Sequence, residues 1–366
     1  MENLLDALIN SGCEIDKSYY LNAVKQYKNK EELELEINTY IDTFIKTNPY
    51  QIKDVSVALL TDKTSYFHNF QENTLYDLAS ITKLFTLKGV YDLRKENKIV
   101  FEQPICTYLE GCKGLQNYTV LDAIKMFGII ETEGKLSETK DYETFRKVLK
   151  TVKVKEYSEE TTTYTDIGHV LLGNIIEKVT NKDLKTYFKE DIFDKYHMEN
   201  TLFLPSHDYI LKGNGNTFYL PHDLKTRVAH GMTGAAGLFS NVYDLSKFAK
   251  ELWNGHVFDS GFLKEIYDYT FIDTINRNRS FSGLYKKTKG YRSYVPKEFS
   301  DFALAHQGFT GSVFVVDLKS HMGEILLFDA IPNGEEKKHP DFFKGFYVFR
   351  DKMTTYLILL YLMQMG

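Results

Sequence analysis

Three short groups of residues in this chain could carry chemistry. The first is Ser80-Ile81-Thr82-Lys83, which places a hydroxyl and an amine three residues apart. On a helix this spacing puts both side chains on one face, within reach of each other. A serine beside a base is the arrangement of a covalent nucleophile. The same pattern also fits a purely structural role, because serine commonly caps helix N-termini and surface lysines are frequent.

Position separates this pair from a second one with the same spacing. Ser137-Glu138-Thr139-Lys140 lies in a charged stretch that predicts a loop, whereas Ser80 opens a predicted helix over residues 80–95. A hydroxyl at a helix N-terminus lies near free N–H groups and the positive end of the helix dipole. We therefore take Ser80 and Lys83 as the candidate nucleophile and base.

Two further groups come later in the chain. Tyr164-Thr165-Asp166 immediately precedes a helix predicted from Ile167 to Val179, so Asp166 could simply cap that helix. His306-Gln307-Gly308 lies at the end of a predicted strand. A second such triplet, His321-Met322-Gly323, falls at a predicted hairpin turn and is explained by turn formation.

Other kinds of site are not indicated. The chain has no HExxH, P-loop or GxSxG motif, and Gly213-Asn214-Gly215 lacks the third glycine of a dinucleotide loop. The three cysteines, Cys13, Cys106 and Cys112, form no CxxC pair, so we expect neither a disulfide framework nor a zinc site. The sequence predicts no metal and no cofactor.

The elements that must position these groups are strands near both ends of the chain and helices between them. The apolar patterns predict strands over residues 55–60, 65–68, 303–306, 313–317 and 324–328, and further helices over residues 243–253 and 346–363. Short connections favour an antiparallel sheet. We expect an α/β (α+β) fold with a central antiparallel sheet lobe flanked by helices and an all-helical lobe, with the site in the cleft between them.

This order also predicts a domain organisation. Residues 1–48 read as a helical extension, with breaks near Gly12 and Asn29, that ends before Pro49. Residues 49–366 form the catalytic domain, with a sheet lobe of about 49–79 and 301–366 and a helical lobe of about 80–300. Residues 272–300 have few aliphatic side chains and are predicted to be a loop.

Composition limits the possible partners. The chain has 366 residues, 43% of them hydrophobic and 26% charged, with a formal net charge of -5, so it shows no electrostatic footprint for nucleic acid or an anionic membrane. Its first residues are acidic, and the longest apolar stretch, Tyr356 to Met363, is too short to span a bilayer. We expect a cytoplasmic protein that acts on a small molecule or short peptide; the oligomeric state is left open.

The three groups, taken in order, resemble the serine β-lactamase/penicillin-binding protein superfamily, in its class C-like branch of esterases and peptidases. Four segments covering about residues 50–330 carry the resemblance: Thr74-Leu75-Tyr76-Asp77-Leu78-Ala79-Ser80-Ile81-Thr82-Lys83, Tyr164-Thr165-Asp166 with the helix after it, His222-Asp223 with Gly234-Ala235-Ala236-Gly237-Leu238-Phe239-Ser240, and His306-Gln307-Gly308-Phe309-Thr310-Gly311-Ser312.

The resemblance implies a role for each matching position. Ser80 would be the acyl-enzyme nucleophile, Lys83 its base and Tyr164 the proton shuttle to the leaving group. Asp166 would hold Lys83, and His306 and Gly308 would line the strand beside the substrate. The backbone N–H groups of Ser80 and Phe309 would form the oxyanion hole.

Two of these positions bear on the substrate. His306 stands where many relatives have lysine and is mostly neutral at pH 7, so the cleft loses a cation for a substrate carboxylate. Asp166 replaces the asparagine of many lactamases and favours the charged form of Lys83, which makes it a poorer base. Both argue against an efficient β-lactamase and favour an esterase, D-amino-acid peptidase or muropeptide-like amidase.

Departures from the pattern leave the substrate open. Residues 123–130 and Phe328-Asp329-Ala330 differ from the corresponding segments of relatives, and residues 1–48 have no recognised counterpart. Two other functions also stay open at this stage. One is a catalytically silent relative used for binding, and the other is an acyltransferase that passes the acyl group to an amine.

Overall fold

The structure is a computed structural model that describes residues 1–48, 52–158, 162–213, 219–273, 276–288, 294–330 and 342–363. The helices are α1 Glu2–Asn10, α2 Lys17–Val24, α3 Lys30–Thr47, α4 Thr82–Lys95, α5 Val120–Lys125, α6 Tyr142–Leu149, α7 Ile167–Thr180, α8 Leu184–Phe188, α9 Leu224–Val228, α10 Val242–Trp253, α11 Ser260–Asp268 and α12 Phe342–Met363. The strands are β1 Val55–Leu60, β2 Ser65–His68, β3 Thr74–Asp77, β4 Ile129–Glu131, β5 Lys153–Glu156, β6 Leu202–Phe203, β7 Ile210–Lys212, β8 Leu238–Ser240, β9 Phe271–Ile272, β10 Asn278–Arg279, β11 Ala303–Gln307, β12 Val313–Asp317 and β13 Met322–Phe328.

The central sheet joins the two ends of the sequence. Its five strands run in the order β11-β12-β13-β1-β2, and every neighbouring pair is antiparallel. Val55 pairs with Phe328 and Leu60 with Gly323, so an early and a late strand lie side by side at the middle of the sheet. The predicted antiparallel sheet and the α/β fold class are confirmed.

Each face of this sheet covers a separate hydrophobic core, because successive side chains of a strand point to opposite faces. Val57 and Leu59 pack with α12 and with the N-terminal helices, while Ala58 and Leu60 pack with the second lobe. Residues 1–48 therefore share one core with the sheet and α12. The boundary between an extension and the catalytic domain stays a prediction, and Pro49 lies outside the described residues.

The second lobe is built around α4, which is buried on nearly every side and packs against α7. This lobe is mostly helical, but the expectation that it contains only helices is wrong. It includes a sheet of order β6-β8-β3-β7, and β4 pairs with β5. Strands of two to four residues show no alternation over a useful length, and their pairing depends on long-range contacts that the sequence does not reveal.

The predicted loop over residues 272–300 also contains structure. A short β9–β10 hairpin and a 3₁₀ turn, Phe281–Gly283, lie within or beside it, and residues 274–275 and 289–293 lie outside the described residues. Two buried arginines anchor this segment, which is why it holds a defined shape without an aliphatic core of its own.

The cysteines correct another expectation. Cys106 and Cys112 are joined as a disulfide, with their Cα atoms 5.6 Å apart, while Cys13 is free and buried. A tight turn returns the chain on itself between the two residues, which cysteine spacing alone does not indicate. In the described part of the chain, no helix has the length and apolar character needed to cross a membrane.

Candidate active site

Ser80 lies where β3 turns into α4. Asp77, at the end of β3, is fully buried and accepts a hydrogen bond from the Ala79 N–H at 2.9 Å. Its other oxygen binds the backbone N–H and Nδ1 of His222 at 2.8 and 2.9 Å. Ala79 adopts a positive φ of 47°, which this buried carboxylate helps to maintain. The turn presents Ser80 as a partly exposed residue on a buried support.

Lys83 lies one turn further on and is completely buried. Its Nζ donates to Ser80 Oγ at 2.9 Å and to the Ala235 carbonyl oxygen at 3.1 Å, and lies 2.7 Å from Asp166 Oδ1. The predicted contact between the hydroxyl and the amine is therefore present. A buried lysine with three oxygen neighbours does not fit a purely structural role, which would place Lys83 on the surface.

The glycine-rich segment explains how Ala235 reaches Lys83. A Cβ on Gly234 would lie 2.1 Å from the His169 carbonyl oxygen, so only glycine permits this approach to α7. The Gly234 carbonyl oxygen accepts from Thr86 Oγ1 on α4 at 2.7 Å. The segment thus binds α4 at two points and fixes the position of Lys83.

Asp166 stands at the N-terminus of α7 but makes no side-chain capping hydrogen bond. One carboxylate oxygen faces Lys83, and the other lies 2.8 Å from the Nζ of Lys225 on α9. Lys225 also contacts Asp223. The carboxylate, with 32% of its side chain exposed, is thus shared between two ammonium groups.

These contacts set the protonation states. Burial alone would lower the pKa of Lys83, but the Asp166 charge and the contact with Tyr164 outweigh it and raise that pKa above its ordinary value. Burial alone would raise the pKa of Asp166, but Lys83 and Lys225 hold it well below its ordinary value. Both groups are therefore charged at neutral pH, in the direction expected from the sequence.

Tyr164 lies between two cations. Lys83 Nζ is 5.1 Å from the ring centroid, and the Arg279 guanidinium is 4.5 Å from it. Arg279 is itself fixed by Asp273 Oδ2 at 2.8 Å and by the Gly283 carbonyl oxygen at 2.9 Å. The tyrosine is therefore held beside Lys83 by the segment that the sequence predicts to be a loop.

His306 is buried at the end of β11, and its environment differs from the expected one. Its Nε2 lies 3.2 Å from the Ser282 carbonyl oxygen and its Nδ1 lies 3.2 Å from that of Gln307. Burial, together with the charges of Lys83 and Arg279, lowers the pKa of His306 to about 3. The ring is neutral at pH 7, as expected. Two cations and low solvent access oppose its protonation.

The strand end that carries Gly308 lies directly against the Ser80 turn. A Cβ on Gly308 would lie 2.7 Å from the Leu78 carbonyl oxygen, and Thr310 Oγ1 donates to the Asp77 carbonyl oxygen at 3.1 Å. This packing brings the backbone of Phe309 beside the nucleophile turn. The Phe309 ring is 49% exposed and stacks on His222, with ring centroids 5.2 Å apart.

The second serine with the same spacing is far less suited to chemistry. Ser137 lies on an exposed 3₁₀ turn, Leu136–Glu138, and Lys140 is exposed as well. Both side chains therefore lack the buried surroundings that orient Lys83 toward Ser80.

Sequence reasoning missed three residues that organise the site: Asp77, Lys225 and Arg279. Asp77 and Lys225 lie in or next to segments that carry the family resemblance, so their positions offered a signal. Arg279 lies in a segment that the sequence predicts to be a loop, and only its richness in arginine set that segment apart.

Comparison with known proteins agrees with this geometry. A model of the Beta-lactamase family matches residues 39–342. A protein of Escherichia coli O157:H7 named "Putative D-alanyl-D-alanine carboxypeptidase" is 25% identical over 322 residues, which cover 74% of this chain and 73% of that protein. The N-acetylmuramyl-L-alanine amidase of Bacillus subtilis strain 168 is 25% identical over 323 residues, covering 74% and 72%.

Solved structures show the same fold. The D-amino acid amidase of Ochrobactrum anthropi SV3, solved with L-phenylalanine, superposes with a TM-score of 0.68 at 16% identity, over 91% of this chain and 99% of that one. The expected class of serine hydrolases is confirmed at the level of the family. Since the family model spans well over half of its length, the chain belongs to the Beta-lactamase family.

Proposed function

We propose that the protein is a serine hydrolase that forms an acyl-enzyme on Ser80 and cleaves a small ester or amide. One observation carries the proposal: a fully buried lysine whose Nζ lies 2.9 Å from Ser80 Oγ and 2.7 Å from Asp166 Oδ1. A buried amine aimed at a partly exposed hydroxyl is what nucleophilic catalysis requires.

The chemistry follows from these positions. Lys83, after losing a proton, takes the Ser80 hydroxyl proton while Oγ bonds to the substrate carbonyl carbon. The carbonyl oxygen becomes an oxyanion, which the backbone N–H groups of Ser80 and Phe309 stabilise. Tyr164 gives its hydroxyl proton to the leaving group as the bond between that group and the carbonyl carbon breaks, and it regains a proton from Lys83, which thereby passes on the proton taken from Ser80. Water then adds to the acyl carbon, Ser80 leaves with a proton, and the acid product is released.

The charges around the cleft favour a substrate that is neutral where it meets β11. His306 is neutral and buried, while Lys83 and Lys225 are both paired with Asp166, so none of these three offers a free cation to a carboxylate. The exposed Phe309 ring, supported by His222, offers an apolar surface beside the nucleophile. The relatives named as a D-alanyl-D-alanine carboxypeptidase, a muramyl amidase and a D-amino acid amidase point to D-amino-acid or muropeptide-like amides.

The proposed partner is accordingly a small molecule or a short peptide, and a cytoplasmic location stays a prediction. The acyltransferase alternative uses the same acyl-enzyme and differs only in the acceptor. The binding-only alternative is disfavoured by the intact contact between Ser80 and Lys83.

Intact-mass spectrometry after treatment with a neutral fluorophosphonate tests the proposal. One adduct is expected on the wild type and on Ser137→Ala, and none on Ser80→Ala; Ser137→Ala is the matched control because its serine has the same spacing to a lysine. An adduct that persists in Ser80→Ala would overturn the assignment. A wild type that neither labels nor turns over a p-nitrophenyl ester would support the binding-only alternative instead.

A further inference from the structure

Lys225 lies in the site but has no part in the bond-forming steps proposed for Ser80, Lys83 and Tyr164. It projects from α9, is mostly buried, and contacts only carboxylates among the charged groups described. Burial would lower the pKa of its ammonium group, but Asp166 and Asp223 outweigh that effect and raise it. Lys225 is therefore a permanent positive charge over the whole working pH range.

The geometry forms a row of alternating charges. Lys83 Nζ lies 2.7 Å from Asp166 Oδ1, Lys225 Nζ lies 2.8 Å from Asp166 Oδ2, and Asp223 contacts the far side of Lys225. The row is neutral overall as long as both lysines are charged. Without Lys225, Lys83 would be the one lysine left in contact with Asp166 among the described residues.

This arrangement addresses a difficulty within the proposed mechanism. A carboxylate in contact with Lys83 holds its proton, whereas the base must release that proton before it can accept the one from Ser80. A second cation on the same carboxylate opposes this effect, because like charges repel and the attraction of Asp166 is divided between two partners.

We propose that Lys225 is a positioning residue that shares Asp166 with Lys83 and so allows Lys83 to act as a base at lower pH. The inference rests on the proposed function of Ser80 and Lys83, and it deepens that function by giving the carboxylate its second partner.

Other charged and titratable groups also face this row and must be kept unchanged in the test. These are Tyr164 just before α7, His169 on α7, His306 on β11 and Arg279 on β10. His169 and His306 are buried with lowered pKa values, and the Arg279 side chain is buried as well. The charged partners of Lys225 are Asp166 and Asp223, so its exchange leaves the contacts of Lys83 with Ser80 and of Arg279 with Tyr164 in place.

The test is the pH dependence of kcat/KM for a neutral p-nitrophenyl ester between pH 6 and 10. The acidic limb of this profile is the part in which kcat/KM rises with pH as Lys83 loses its proton. In Lys225→Gln, which keeps a polar side chain without the charge, this limb should move to higher pH by about one unit. Because the pKa of Lys83 is raised, the midpoint of the limb lies above this pH range, so the shift appears as a rate about tenfold lower at every pH from 6 to 10, with the wild-type slope. Lys225→Met should behave in the same way, and Lys225→Arg should restore the wild-type limb.

Controls separate this effect from other causes. Lys135→Met removes an exposed lysine paired with Glu138 and should leave the profile unchanged. In an Asp166→Asn background, Lys225→Gln should shift the limb less than in the wild type, because the shared carboxylate is gone. Fluorophosphonate labelling of each variant shows that the site is folded.

Wild-type rates in both Lys225→Gln and Lys225→Met would overturn the inference. So would a fall for Lys225→Gln that is equally large in the Asp166→Asn background, or a rate that stays low in Lys225→Arg. The proposed function fails by a different result, namely labelling that survives in Ser80→Ala. The two outcomes can therefore be distinguished.

Discussion

The two faces of the five-stranded sheet bury ionisable groups in opposite ways. On the face toward the second lobe, Lys83, Asp166 and Lys225 form contacts of 2.7 and 2.8 Å with one another. On the face toward α12, Glu324 of β13 is buried among apolar residues and accepts one hydrogen bond, from Thr354 Oγ1 at 2.7 Å. Its other oxygen has no hydrogen-bond partner among the residues that the structure describes.

The protonation states differ accordingly. Lys83 and Asp166 keep their charges because each faces an opposite charge. Burial raises the pKa of Glu324 to about 8, and neither the Thr354 hydrogen bond nor the Arg350 charge offsets it. Full burial is common to Lys83 and Glu324, so burial does not decide which group stays ionised; an opposite charge in contact does.

The comparison separates a site that does chemistry from one that does not. On the face toward the second lobe, the charged amine of Lys83 lies beside the partly exposed hydroxyl of Ser80. On the other face, the carboxyl of Glu324 holds a proton and lies in the core beneath α12. Perturbed pKa values mark both places, yet only the first combines them with a nucleophile and a second proton carrier.

The largest expected effect is on activity and comes from removing a proton carrier beside Ser80. Lys83→Ala and Tyr164→Phe should each lower kcat/KM for an ester by about 10²- to 10⁴-fold, because each removes a proton carrier next to Ser80. The double variant should be little worse than either single one, since the two groups act as a unit. Losses that multiply in the double variant would show independent roles.

The next largest effect concerns Glu324 and is seen in the free energy of unfolding. The native state holds a proton on Glu324 up to about pH 8, whereas an exposed glutamate releases it near 4.5. The free energy of unfolding should therefore fall as pH rises from about 4.5 to about 8, by up to about 4 kcal/mol for this group.

Glu324→Gln removes the titrating proton at constant shape and should flatten this dependence. Chemical denaturation of both proteins at pH 5, 6.5 and 8 measures it, and activity at pH 7 should be retained. A wild-type stability that rises between pH 5 and 8, with the same slope in Glu324→Gln, would show that the carboxyl is ionised in the folded state.

The smallest effect sharpens the role of His306. Because its pKa is lowered to about 3, the ratio of kcat/KM for matched carboxylate and neutral substrates should be flat between pH 5.5 and 8. His306→Lys should raise that ratio about tenfold at pH 7, which corresponds to about 1.4 kcal/mol. A wild-type ratio that increases toward pH 5.5 would mean that His306 is protonated there.

The sequence predicts the sheet and the contact between Ser80 and Lys83 well, because both have strong local signals. Short apolar runs locate β1, β2, β11, β12 and β13, and a spacing of three residues places Ser80 and Lys83 on one face. The capping interpretation of Asp166 shows the limit of local reasoning. The Asp166 carboxylate pairs with Lys83, which lies 83 residues away in the chain, and it makes no capping hydrogen bond to the N–H groups of α7.

The features of the site that the sequence does not predict depend on contacts between segments that are far apart in the chain. The role of Lys225 depends on its contact with Asp166, and the role of Arg279 depends on its contacts with Tyr164 and Asp273. The pKa of His306 depends on burial and on two cations from other elements, which local sequence does not reveal. The short strands β7 and β8 pair with the two edges of β3, and β6 pairs with β8.

The most direct test of the account is the rate at which a neutral fluorophosphonate labels Ser80 as a function of pH. Since Lys83 is held as an ammonium ion with a raised pKa and must lose its proton before Ser80 reacts, the wild-type rate should rise about tenfold per pH unit from pH 6 toward that pKa. Lys83→Met should label at least about 100-fold more slowly at pH 8 and with little pH dependence. Labelling of Lys83→Met at the wild-type rate, with the same rise, would contradict the assignment of Lys83 as the base.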